Sequence, residues 1–244
     1  MNPTVAQLTL RTLLGRRRAW LLLVLPVVLL LLCLAVRLSV DPASREEVAV
    51  GLLGAFALGT LVPLLGLIAG TGAIGPEIDD GSIVYLLAKP LSRHSIVVTK
   101  LLVAVAVMAV FAAAPVLVAG LVLTGTGHSL AVGYALAALV AGTAYCALFL
   151  LLAVVTRNAV VIGLIYALVW ESLVGSLVPG AQALSVQQWS LALTRLVVGD
   201  AADPLDVTSA VRPQLALSLL ALVSVAATVL AGSRLRSLRL TSDE

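Results

Sequence analysis

The side chains able to do covalent or metal chemistry are few, and their spacing does not favour it. His94 and His128 are the only histidines in the chain. No H-x-x-x-H or H-E-x-x-H spacing exists, so a zinc-protease helix is excluded. Glu46 and Glu47 adjoin but lack a histidine partner nearby. Cys33 and Cys146 each lie inside an apolar run and read as small buried residues, not as a disulfide or metal pair. No G-x-x-x-x-G-K-(S/T) phosphate loop occurs, so the chain cannot be its own ATPase. An intramembrane enzyme would need a nucleophile–base pair or a metal cluster, and neither is present. Two chemically informative features remain. One is Glu171, an acid inside an apolar run. The other is a charged stretch between two apolar runs, from Gly75 to Lys100.

Those residues must be positioned by membrane helices. Hydrophobic residues make up 61% of the chain and charged residues 11%, with a mean hydropathy of +1.15. A soluble domain carries about 25% charged residues, so this chain has too few to cover a surface facing water. A span needs about 20 apolar residues, and six such stretches fit. They are Ala19–Val36, Val48–Ile74, Leu101–Leu123, Leu130–Val155, Ala159–Val178 and Leu215–Ala231. The first exceeds a signal-peptide core of about 7–15 residues and no Ala-x-Ala site follows, so it reads as a retained span. The expected fold is an all-α integral membrane protein, one transmembrane domain over residues 1–244. Residues 1–18 form an approach segment that suits an interfacial helix. Residues 19–74 hold spans one and two, and 101–178 hold spans three to five. Residues 179–214 form an external segment with a short helix expected at Val186–Val198, carrying Trp189 and Leu193. Residues 215–244 hold span six and a tail. Gly66 and Gly70 form a small-xxx-small pair that admits a close neighbouring helix. Pro115 marks a kink candidate in span three.

Charge sets the orientation. With the N-terminus inside, eleven Lys and Arg residues are cytoplasmic and four are external, in keeping with the positive-inside rule. The expected location is the plasma membrane, with both termini cytoplasmic. The arginines sit at the ends of apolar runs and form no stripe, which disfavours nucleic acid as a partner. Only two of the 15 basic residues are lysines, a bias that suggests a GC-rich bacterial genome.

The stretch Gly75–Lys100 is then a cytoplasmic connection between spans two and three. Asp79, Asp80 or Ser82 suits the start of a short helix. Ile83, Leu86 and Leu87 fall on one face of it. Lys89 sits where the helix dipole favours a cation, and Pro90 stops it. Ser92 can cap the helix that enters span three. The expectation is a stiff amphipathic lever held at both ends.

Glu77, Gly81, Leu86, Leu87, Pro90, Ser92, Arg93 and Lys100 resemble the E…G…LL…P-x-S-R…K pattern of ABC-2-type transporter permeases. The stretch Tyr166–Glu171 looks like the family's span five. The resemblance covers essentially the whole chain. It implies six spans, an N-terminal interfacial helix, and a coupling helix between spans two and three. It also implies a membrane subunit that pairs with an ABC ATPase and with a second permease copy or paralogue. ATP and Mg would be bound by the partner ATPase, with no cofactor on this chain. Glu77, Asp80, Gly81, Leu86, Leu87, Pro90, Arg93 and Lys100 would carry the coupling.

Glu171 has two readings. It lines a substrate path or a dimer seam together with Trp170, or it is a hydrogen-bonded glutamate that stabilises packing. Gln182, Gln187 and Arg195 are its possible partners. The aliphatic spans suggest an amphipathic or lipid-like cargo in contact with membrane lipid, and the resemblance gives the direction as export. A non-transporting scaffold or self-immunity protein with the same fold is the alternative. A secondary transporter would carry more intramembrane charge.

Overall fold

The computed structural model describes residues 3–82, 92–125, 128–174, 182–199, 209 and 211–237. All regular structure among the described residues is helical. In chain order the helices are α1 (Pro3–Leu13), α2 (Arg16–Ser39), α3 (Arg45–Asp79), α4 (Arg93–Thr124), α5 (His128–Val155), α6 (159–174), α7 (Val186–Val198) and α8 (Pro213–Ser237). Five of them contain stretches long and apolar enough to cross a membrane. The shortest of these, Ala19–Ser39, has 21 residues, which rise about 30 Å as a helix. α6 is apolar but shorter, and the expected span of Ala159–Val178 is described only to residue 174.

Helices outlast the apolar runs that suggested them. Residues 75–79 extend α3, and residues 93–100 form the first turns of α4. The connection expected over 75–100 is therefore shorter. A helix keeps its hydrogen bonds into the interface until something stops it. At the end of α3 the stop is Gly81, which adopts a φ of 67°. Glycine reaches that conformation without a Cβ penalty. The Asp80 amide donates to the Pro76 carbonyl at 2.9 Å, and the Gly81 amide donates to that of Ile78 at 3.2 Å. Asp79 and Asp80 thus end α3 instead of starting a new helix. The short helix expected around Ile83–Lys89 lies outside the described residues.

α3 and α4 widen locally to i→i+5 bonding, at Leu52–Leu61 and Ala109–Ala113. Each stretch is followed within two residues by a proline, Pro63 or Pro115. Proline offers no N–H and clashes with the carbonyl four residues back, and a widened turn before it relieves that clash; Pro26 in α2 and Pro76 in α3 sit in turns that stay regular. α6 widens in the same way over Tyr166–Val174.

α3 and α5 form the centre of the bundle. Their most apolar windows are 56% and 61% buried, against 22% for α2 and 28% for α8. Gly66 and Gly70 make this contact close. A Cβ on Gly66 would lie 2.7 Å from the Tyr145 Cβ, and one on Gly70 would lie 2.7 Å from the Cys146 carbonyl oxygen. In a bilayer, such backbone approach supplies the packing that holds helices together. α1 buries Val5, Thr9 and Leu13, one face at i, i+4 and i+8, against α3 and α4. α7 begins and ends at the expected residues. It buries Trp189 and Leu193 and packs against α5 and α8.

Candidate functional site

Polar chemistry is concentrated at two places, one at each end of the bundle. The first lies where α1, α3 and α4 meet. Ala73 and Glu77 are four residues apart, so their acceptors fall on one face of α3. Lys100 projects from α4 toward that face. Its Nζ donates to Glu77 Oε1 at 2.6 Å, to the Ala73 carbonyl at 2.6 Å and to Thr9 Oγ1 at 3.4 Å. An ammonium has three donors, and here each has an acceptor on α1 or α3. Thr9 is itself held, donating to the Val5 carbonyl at 2.9 Å. Lys100 is fully buried, and the Glu77 side chain is 22% exposed. Removing one partner of a buried pair strands the other charge, which makes the junction hard to open.

Among the other expected coupling residues, Asp80 and Gly81 are exposed at the end of α3. Arg93 opens α4, and Ser92 caps that helix by accepting from the Ser95 amide at 3.3 Å. Leu86, Leu87 and Pro90 lie outside the described residues. The structure therefore brings Glu77 and Lys100 together and sets Asp80, Gly81 and Arg93 around the connection. The sequence reading missed Thr9, since nothing in the spacing joins residues 9, 77 and 100.

The second place is the carboxylate of Glu171, which is fully buried. Its Oε1 accepts from the Tyr166 hydroxyl at 2.9 Å and the Val186 amide at 3.1 Å. Its Oε2 accepts from the Ser185 hydroxyl at 2.5 Å and the Gln187 amide at 3.2 Å. Two of these donors are amides of the first turn of α7, where the helix leaves N–H groups unpaired and its dipole favours an anion. Ser185 is the N-cap and accepts from the Gln188 amide at 3.4 Å. Gln187 Nε2 donates to the Gly54 carbonyl at 3.1 Å, in the widened part of α3. Glu171 thus ties α6 to α7, and Gln187 ties α7 to α3. Trp170, next to Glu171, is half-buried. This geometry is that of a fully engaged capping carboxylate. Gln187 was an expected partner, but it contributes its backbone amide. Tyr166 and Ser185 were missed, although Ser185-x-x-Gln188 has the spacing of a capping box.

Among the described residues no group of acids, histidines and cysteines could hold a metal ion. No curated protein matches the sequence significantly. A family model described as ABC-2 family transporter protein matches residues 4–191. That stretch runs from α1 into the middle of α7 and takes in both polar junctions. It covers well over half of the 244 residues, so the chain belongs to the ABC-2 transporter family, whose members are the membrane-spanning permease subunits of ABC transporters and not their ATPases.

Proposed function

We propose that the chain is the permease of an ATP-driven exporter, moving an amphipathic or lipid-like substrate across the plasma membrane. A separate ABC ATPase supplies the energy and holds ATP and Mg. Two permeases, identical or paralogous, form the pathway, with the ends of each chain in the cytoplasm. The ATPase docks on the residues between Glu77 and Lys100, where Asp80, Gly81, Leu86, Leu87, Pro90 and Arg93 form the contact. Trp170 belongs to the seam between the two permeases.

One observation supports this reading above the others. Lys100 binds Glu77 and Ala73 on α3 and Thr9 on α1. Both ends of the docking segment are thereby fastened to one another, and a force applied between them reaches α3 and α4 together. The test is purification from native membranes in mild detergent, with residues 83–90 intact or scrambled. A stoichiometric ATPase with the intact chain, lost on scrambling, is the expected result. A chain that comes out alone, and stays alone after crosslinking, sinks the proposal.

A further inference from the structure

The hairpin formed by α5 and α6 carries an apolar groove and, at its turn, a small polar pocket. The groove has a volume of about 310 Å³. Leu148, Leu152 and Val155 of α5 line one wall, and Ile162 and Tyr166 of α6 line the other. From Leu148 to Val155 the groove follows α5 for about 10 Å. That length fits within one leaflet, about half of the ~30 Å hydrocarbon core. The groove is open, since Val155 and Ile162 are 56% and 44% exposed. The polar pocket, about 60 Å³, begins at the next residues of the same hairpin. Thr156 and Arg157 line it together with Thr71 and Asp79 of α3.

The charges in that pocket are opposite but separate. Arg157 and Asp79 are both exposed, and they form no ion pair with each other. The Thr156 oxygen accepts from the Asn158 amide at 3.3 Å, which leaves its hydrogen free to be donated outward. An unpaired cation and anion lining one pocket, next along the hairpin from an apolar groove, suit a ligand with its own anion, its own cation and a hydrocarbon chain.

We propose that the α5–α6 hairpin binds a phospholipid with an ethanolamine headgroup. Its phosphate sits on Arg157 and the Thr156 hydroxyl, its ammonium on Asp79, and one acyl chain in the groove. A guanidinium suits a phosphate through paired N–H donors. A primary ammonium offers three N–H donors to Asp79, whereas a trimethylammonium offers none. A glycerol headgroup brings no cation, so Asp79 disfavours it. The site stands whether or not the chain transports anything.

The experiment is native mass spectrometry of the full-length chain in detergent. It is titrated with phosphatidylethanolamine, phosphatidylcholine and phosphatidylglycerol of identical chains. The expected result is about two- to fivefold tighter binding of the ethanolamine lipid, the size of one solvent-exposed ion pair. Asp79→Asn should erase the preference for ethanolamine over glycerol. Arg157→Gln should weaken all three lipids. Leu152→Trp should remove one bound lipid from the wild-type number. Equal binding of all three lipids, indifferent to both charge variants, overturns the site. So does a Leu152→Trp chain that changes its oligomeric state and keeps its lipid, since the groove would then hold a second copy. If Leu152→Trp does not insert, the two charge variants decide alone.

Discussion

At the scale of single residues, Lys100 and Gly81 make opposite predictions. Lys100 is buried with all three donors engaged. Lys100→Met should leave the Glu77 carboxylate without its cation and cost about 3–5 kcal/mol. The double variant Glu77→Leu, Lys100→Met should recover most of that loss, because no charge is left stranded. Thermal unfolding of both in detergent checks this. A single variant as stable as the wild type would mean that the pair is not buried. Among the described residues nothing lies where a Cβ on Gly81 would strike it, but its φ is 67°. Gly81→Val should therefore insert and fold at a cost of about 1–2 kcal/mol from left-handed strain. It should also change the direction in which the chain leaves α3. In the proposed exporter, the expected outcome is ATP hydrolysis with reduced transport. The ratio of the two rates in proteoliposomes measures it, and an unchanged ratio removes Gly81 from the coupling residues.

Among the elements, close helix approach and helix capping are the two devices to test. Gly70→Val should disrupt the α3–α5 contact, because its Cβ would fall 2.7 Å from a backbone oxygen that cannot yield. Gly75→Ala, five residues on, meets nothing within 4 Å and should be tolerated. Detergent-solubilised yield and monodispersity separate the two. Glu171→Ala should release the first turn of α7 at a cost of about 1.5–3 kcal/mol per lost charged bond. Faster amide exchange at Val186 and Gln187 would report it, and unchanged exchange would show that Ser185 caps the helix alone. The elements were largely legible in the sequence. Apolar runs of the right length located α2 to α5 and α8, because a bilayer demands about 20 apolar residues per span. The short helix expected at Val186–Val198 is α7, with the same bounds. The widened turns were not legible beyond the suspicion of a kink at Pro115, since packing around a proline decides how a helix opens. Helix ends were misjudged where charge begins. Hydropathy falls at Ile74, but the hydrogen-bonded ladder continues to Asp79. Pairings across long separations, such as Thr9 with Lys100, leave no periodic trace at all.

For the molecule as a whole, uneven burial sets the expectation. α3 and α5 are more than half buried, and α2 and α8 less than a third. The outer helices therefore offer apolar surface to lipid or to a second copy. In the proposed assembly, mass photometry of the purified complex should give two permeases and two ATPases. A particle with one permease would count against the second copy. The Glu77–Lys100 bridge also has a kinematic meaning. It closes residues 77–100 into a ring, fastened to itself by a side chain at one end and to the N-terminal helix through Thr9. A ring has fewer degrees of freedom than a loop of equal length. In the proposed exporter, a force applied to it is shared among α1, α3 and α4 through the Lys100 contacts. Spectroscopic labels at the two ends of that ring should then hold one separation throughout ATP turnover, while labels set higher on α3 and on α6 drift apart.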